Sequence, residues 1–185
     1  MTYRSSAAYH GTELITLSCY PTPYPVWNRE WEALQRSLES FVGAIEWSNV
    51  LYVGCGRRLP NLDVVAVDLD PNVGEGIPNF YCADAEDLPF ENNTFDLVVS
   101  SHTIEHLHNQ HKGISEQARV CKKDGLVGAI IPDRRWTAGM DSTHTREFSL
   151  DEFVGEFKTV SGLMLMDYGI AENHYSFYVV FRKVA

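Results

Sequence analysis

The residues of this chain best suited to chemistry fall at the ends of short apolar runs. Gly54 and Gly56 bracket Cys55 directly after Val50-Leu51-Tyr52-Val53. Glycines at such a place let the backbone turn tightly and approach a ligand closely. Twelve residues beyond Gly56, the run Val64-Val65-Ala66-Val67 ends in Asp68, whose carboxylate can accept both hydroxyls of a ribose. Asp84 follows the weaker run Phe80-Tyr81-Cys82 and is placed to accept from an adenine amino group. Ser100, Ser101 and His102 follow Phe95-Asp96-Leu97-Val98-Val99, nearest a reacting centre. A lone G-x-G turn is weak evidence for a nucleotide; the acidic end of the second run strengthens it. Asp68 can also serve simply as a cap before Pro71.

A second constellation is His102-Thr103-Ile104-Glu105-His106, which matches the zinc-protease pattern H-x-x-E-H. On a helix, His102 and His106 stand one turn apart and could share a metal. The motif directly follows a buried strand, however, so a helix start is the preferred reading and no metal is assigned. His108 and His111 are expected on the exposed surface of that helix. Arg134-Arg135 could meet one phosphate or carboxylate, or lie in a solvated loop.

These residues need elements to position them. Trp27, Trp31, Leu34, Leu38, Phe41, Val42 and Ile45 recur at spacings of three and four, which predicts an apolar helical face from about Val26. Residues 1–24 show no periodicity and read as an irregular arm. A helix fits about Thr103 to Lys122, closed by Asp124-Gly125 as a turn or C-cap. A strand over Leu126–Ile131 is stopped by Pro132. Ser149-Leu150-Asp151-Glu152 is a capping box that opens a helix to about Val160. Two last strands fit Leu163–Met166 and Tyr175–Phe181 and predict an antiparallel hairpin. Strands that are apolar throughout imply a sheet buried on both faces. Their alternation with helices predicts one α/β domain with a mostly parallel sheet and helices on both faces. Ligands of such sheets bind at the carboxyl ends of the strands, near the switch point.

The totals narrow the function classes. At 185 residues, with 44% hydrophobic and 22% charged residues, the composition is that of one globular domain. A formal charge of −10 argues against broad binding to nucleic acid or anionic membranes. No apolar run approaches the roughly 20 residues of a membrane span, and the residues after Met1 lack a secretory apolar stretch. Cys19, Cys55, Cys82 and Cys121 form no C-x-x-C pair, so thiols in a cytoplasmic protein are expected.

Val50-Leu-Tyr-Val-Gly-Cys-Gly56, Val65-Ala-Val-Asp68-Leu-Asp-Pro71 and Asp84-Ala-Glu-Asp-Leu-Pro-Phe90 together resemble the class I S-adenosylmethionine-dependent methyltransferases. Asn93-Thr-Phe-Asp-Leu-Val-Val-Ser-Ser-His-Thr-Ile-Glu-His106 and Asp124-Gly-Leu-Val extend the likeness over about residues 48–132, and Thr143-His-Thr-Arg-Glu-Phe-Ser149 resembles a segment before a late helix of that superfamily. The resemblance implies a Rossmann-like fold, S-adenosylmethionine as cofactor, and methyl transfer to a small-molecule or glycan-type acceptor. It places Gly54, Cys55 and Gly56 along the methionine and ribose, Asp68 on the ribose, and Leu69 against the adenine. Asp84 and the backbone of Ala85 read the adenine edge, and Ser101 and His102 stand beside the sulfonium. His102 is the implied general base or acceptor-orienting residue, with His144 its competitor. Residues 48–185 would form the cofactor-binding domain, and residues 1–47, which match nothing recognisable, an arm and helix acting as lid or cap. No nucleic acid or membrane partner is expected, and a homodimer is left open.

One departure stands out. Only Arg57-Arg-Leu-Pro-Asn-Leu62 lies between Gly56 and Asp63, whereas a parallel crossover usually takes about a dozen residues or more. The first crossover helix is therefore reduced to a turn, as in some small methyltransferases, and Arg57 or Arg58 would replace its dipole at the methionine carboxylate. Other readings weigh less. A nicotinamide dehydrogenase would need a third glycine and a helix to receive pyrophosphate. A non-catalytic cofactor-binding or scaffold protein would carry the same pattern. The Asn/Asp-Pro-Pro-Tyr signature is absent, which leaves oxygen, amine, sulfur and carbon acceptors open.

Overall fold

The computed structural model describes residues 32–38, 40, 48–56, 64–171 and 175–185. The arm over residues 1–24, both flanks of the predicted first helix and the Arg57-Arg58 turn lie outside them. Seven strands form one sheet: β1 (Val50–Val53), β2 (Val65–Asp68), β3 (Phe80–Cys82), β4 (Phe95–Ser101), β5 (Cys121–Pro132), β6 (Leu163–Ile170) and β7 (Ser176–Lys183). Their order is β3-β2-β1-β4-β5-β7-β6. The first five run parallel, and β7 inserts antiparallel between β5 and β6. The chain leaves β1 in one direction to make β2 and β3, then returns to place β4 on its other side. The crevice of the sheet therefore opens above the carboxyl ends of β1 and β4.

Strand residues alternate between two cores. Leu51, Val53 and Val98 face one, together with Ile114 and Ala118 of helix α2 (Gln110–Val120) and Phe153 and Phe157 of helix α4 (Leu150–Lys158). Phe157 stacks on Phe181 with ring centroids 4.9 Å apart. Burial of each such ring contributes about 1.5–3 kcal/mol. Val50, Tyr52, Leu97 and Val99 face the other core, where residues 32–38, helix α1, lay Leu34 and Leu38 on the sheet. Ser37 of α1 also donates to Asp167 of β6 at 2.6 Å. Helices on both faces of a mostly parallel sheet, closed by an antiparallel hairpin, is the architecture the sequence predicts.

Three boundaries differ from that prediction. The segment after β4 is not one helix: a single 3-10 turn (Ile104–His106) precedes α2, which starts afresh at Gln110. Asn109 dictates the restart, because its side chain accepts from the Lys112 amide and caps the new helix. The helix also ends sooner, with Cys121 as its C-cap; Asp124, at φ +65°, instead turns the chain within β5 where Leu97 meets Leu126. Finally, Asp133 starts a four-residue helix, α3 (Arg134–Thr137), where the sequence offers either an anion contact or a solvated loop for Arg134-Arg135. Its arginines are engaged locally, Arg135 by Asp133 at 2.5 Å and Arg134 by Glu152 at 2.8 Å. The capping box is present as predicted; of the last two strands, β6 runs four residues past its predicted end at Met166, and β7 is shifted by one to two residues from the predicted Tyr175–Phe181.

Candidate active site

Above β1, Gly54 (φ +66°) and Gly56 (φ +51°) take the left-handed backbone that side chains disfavour. A Cβ at Gly54 would fall 2.2 Å from Thr103 Oγ1, whereas one at Gly56 would meet none of the described residues within 4 Å. Cys55 is buried between them, and its amide donates to the Val67 carbonyl at 3.0 Å, tying the turn to β2. Burial pushes the Cys55 thiol up to about 12, reinforced by the Asp68 charge, so it stays protonated and is no nucleophile.

Asp68 at the end of β2 accepts from the Gly56 amide at 2.7 Å through Oδ2 and from the Asp70 amide at 3.0 Å through Oδ1. Asp68 thus shapes the glycine turn, whereas the cap before Pro71 is Asp70, which accepts from the Asn72 amide at 2.9 Å. Leu69 beside it is 70% exposed, an apolar side chain held open on the wall. Asp84 follows β3, fixed by the Glu86 amide at 2.8 Å, and Ala85 behind it is buried. The loop from Asp84 to Asn92 is pinned to α2 from below. Glu116 accepts from the Leu88 amide at 2.8 Å, and Arg119 donates to the Leu88, Phe90 and Asn92 oxygens.

At the end of β4, His102 adopts φ +51° and its amide donates to Ile130 at 2.9 Å, which turns the imidazole out of the strand. The expected helical pairing of His102 with His106 is thus not formed; a left-handed residue and a 3-10 turn separate them. His102 Nδ1 stands 3.4 Å from Glu105 Oε1. Glu105 is 1% exposed, and neither of its carboxylate oxygens has a hydrogen-bond donor among the described residues. The loop after α3 closes over this turn. Thr145 and Arg146 donate backbone N–H groups to the Glu105 carbonyl at 2.9 and 3.3 Å. His144 thereby packs edge-on against His106, ring centroids 4.8 Å apart. His108 and His111 are exposed, His111 against Thr159 at 3.0 Å, but His108 precedes α2 rather than riding on it.

One cavity of about 740 Å³ gathers these groups. Its walls include Gly54, Cys55, Gly56, Asp68, Leu69, Asp84, Ala85, Ser101, His102 and His144; Ser100, also singled out, is buried away from them against Gln117 at 3.3 Å. The two halves differ in chemistry. One offers carboxylates at the ends of β2 and β3 around an exposed leucine, and suits a nucleoside: hydroxyl and amino donors for the acids, an apolar face for Leu69. The other offers imidazoles with Pro132, Met140 and Tyr175, and suits a second molecule. An acidic, apolar nucleoside pocket joined to a glycine turn fits S-adenosylmethionine, and no described residue lies within 4 Å of the Gly56 Cβ position.

Sequence reasoning missed Thr103, Asp141, Thr143 and the roles of Glu105 and His106. Thr103 is buried under Gly54, its hydroxyl directed at the Val53, Gly54 and Ser101 carbonyls. The Glu105-His106 signal was visible in H-x-x-E-H, but its partners are about 40 residues away and only the loop brings them back. Among the described residues no helix is long and apolar enough to cross a membrane.

Residues 51–128 match a family model described as a methyltransferase domain. A Mycobacterium tuberculosis protein named as a probable S-adenosylmethionine-dependent methyltransferase is 31% identical over 122 residues, 56% of this chain and 44% of that protein. The chain thus spans less than half the length of the curated relatives it matches at its head. The fold recurs in the Bacillus subtilis YcgJ protein (TM-score 0.61, 18% identity, 81% of this chain and 99% of that one). It recurs too in the [4+2]-cyclase SpnF (TM-score 0.64, 15% identity, 83% and 81%).

Proposed function

We propose that this chain is a class I S-adenosylmethionine-dependent methyltransferase, supported by the methyltransferase-domain match over residues 51–128, and that it transfers a methyl group from that cofactor to a small-molecule or glycan-type acceptor. The observation that carries the reading is the divided cavity, a nucleoside half and a histidine half meeting at Gly54 and Ser101. Asp68 holds the ribose, Leu69 covers the adenine face, and Asp84 with the Ala85 backbone binds its edge. Gly54, Cys55 and Gly56 line the methionine end. When bound, the cofactor supplies an electrophilic methyl group on a sulfonium.

His102 and His144 serve the acceptor. With Glu105 Oε1 3.4 Å from His102 Nδ1, the favoured tautomer carries its proton on Nδ1 and leaves Nε2 to accept one from the acceptor. An acceptor that has no proton to lose needs only to be held in line, and positioning then supplies most of the catalysis. A cap on the bound cofactor is the role proposed for the N-terminal arm, whose residues 1–24 lie outside the described ones, while helix α1 packs on the sheet face. The same reading keeps the protein in the cytoplasm, where Cys55, Cys82 and Cys121 stay reduced.

The test is a panel of hydroxyl, amine and thiol acceptors incubated with S-adenosylmethionine, with mass-spectrometric detection of S-adenosylhomocysteine and a methylated product. Stoichiometric release with any acceptor supports the reading. A second reading, cofactor binding without methyl transfer, would use the same glycine turn and acidic strand ends. Tight cofactor binding with no release on any acceptor would replace the first reading by the second.

A further inference from the structure

Glu105 poses a physical problem that the methyl-transfer reading solves only in part: His102 Nδ1 stands 3.4 Å from Oε1, outside hydrogen-bond geometry, and Oε2 has no partner among the described residues. A carboxylate with 1% exposure and no hydrogen-bond donor among the described residues is costly to bury unless a cation or a proton compensates it. His144 repeats the problem. Its side chain is 8% exposed, and its Nδ1 is buried without a hydrogen-bond partner. The two orphans are neighbours, and His106 completes the group. One oxygen of Glu105 and one ring nitrogen from each of His106 and His144 lie within 4.8 Å of one another.

The surroundings of His106 fix which proton it keeps. The Thr143 hydroxyl donates to Asp141 Oδ1 at 2.6 Å, so towards His106 Nδ1, 3.0 Å away, its oxygen can only accept. The Thr143 carbonyl, 3.3 Å from the same nitrogen, can also only accept. Nδ1 therefore carries the hydrogen, and Nε2 presents its lone pair. An imidazole oriented through one N–H to a carbonyl or hydroxyl, with the other nitrogen bare, is the usual arrangement of a metal-bound histidine. Asp141 and Glu147 add negative charge beside His144, at 3.9 and 3.6 Å.

We propose that Glu105, His106 and His144 bind a first-row divalent metal ion at the acceptor end of the cavity. Two imidazoles and one carboxylate are a donor set that zinc, iron(II), manganese and cobalt accept, with coordination positions to spare. His106 and His144 line the cavity, so the spare positions face the acceptor, which would bring an oxygen or nitrogen to the ion. Sequence spacing offered only His102 with His106 and favoured a helix start over a metal there; the third ligand, His144, comes from the far loop. The role at the acceptor rests on the methyl-transfer reading, but the existence of the site does not.

The experiment uses untagged full-length protein, stripped with chelator and titrated with Co²⁺ while its visible d–d absorption is followed. The expected result is saturation at one equivalent. Glu105→Gln, His106→Ala and His144→Ala each weaken binding by at least about tenfold. Thr143→Val weakens it by about 10–100-fold through the freed imidazole. His111→Ala, on the exposed face of α2, leaves it unchanged. Melting temperature and S-adenosylmethionine affinity are measured on every variant, and if Glu105→Gln does not fold, the two histidine variants carry the test. No saturable absorption, or wild-type affinity in both histidine variants, overturns the site. Cobalt binding without S-adenosylmethionine binding would leave the site standing and remove the methyl-transfer reading.

Discussion

Adding one methyl group at Gly54 and one at Gly56 should produce opposite failures. Both positions have positive φ, and a side chain there costs about 1–2 kcal/mol. At Gly54 the new Cβ also lands 2.2 Å from Thr103 Oγ1 and 2.4 Å from its Cγ2, inside the packed floor of the site. Overpacking of that kind adds about 1–3 kcal/mol, so Gly54→Ala should lose about 2–5 kcal/mol from a total of roughly 5–15. The melting temperature then falls by roughly 4–20 °C. At Gly56 the Cβ meets no atom of the described residues within 4 Å. Gly56→Ala should therefore melt within roughly 2–8 °C of wild type. Its methyl points into open space at the cavity wall, and it should lose at least about tenfold in cofactor affinity, or 1.4 kcal/mol. Differential scanning fluorimetry and calorimetric titration separate the two effects. Gly54→Ala combined with Thr103→Ala should be less damaging than the sum of the single changes, because the two clashing atoms are gone and only Thr103 Cβ remains, at 2.8 Å. A Gly54→Ala protein as stable as wild type, or strict additivity in the double variant, would refute the packing argument.

His102→Ala should lower turnover by roughly 10²–10⁴-fold and remove the acidic limb of the pH–rate profile, with cofactor affinity nearly unchanged; His102→Asn, which keeps a hydrogen-bonding group, separates orientation from proton transfer. Near-normal rates in both, with the limb intact, would pass the role to His144. Hydrogen bonds from Arg119, opposed by burial and joined by the Leu88 amide, hold the Glu116 carboxyl below the usual carboxylate range. A depressed acid stabilises the fold above its unfolded pKa of about 4.3, and that stability is lost as pH falls through the folded value. Chemical denaturation from pH 7 to 3 should therefore show Glu116→Gln weaker by about 1–3 kcal/mol at pH 7, with the gap closing in acid; a pH-independent gap would count against the ion pair. Deleting residues 1–20 should weaken cofactor binding while leaving the melting transition of the sheet in place; normal binding and turnover would dispose of the cap.

Much of this architecture is legible in the residues themselves. Buried parallel strands are written as continuous apolar runs, and Val50–Val53, Val65–Asp68 and Phe95–Ser101 fall where those runs do. The capping box names its own bonds, Ser149 to Glu152 and back. Strand ends were the productive places to seek chemistry, because the parallel sheet carries every one of them to the same crevice. The errors share a cause: they depend on backbone conformation or on distance along the chain. Apolar spacing alone could not break the 103–122 helix, since Ile104 and Ile114 are buried either way; the break lies in the cap at Asn109 and the left-handed His102. The buried Glu105 and the Thr143–His106 contact depend on a loop returning across about 40 residues, a separation that leaves no periodic trace.

The central claim is that the cavity above β1 and β4 is built for S-adenosylmethionine. Calorimetric titration of that cofactor into the full-length chain and into Asp68→Asn tests it most directly. Asparagine keeps one oxygen for the Gly56 amide but loses the charge-assisted bonds to ribose, each worth about 1.5–3 kcal/mol. The account predicts saturable binding of one cofactor per chain to the wild type, weakened at least about tenfold in the variant. Absence of saturable binding to the wild type, or equal affinity in the two proteins, would contradict it.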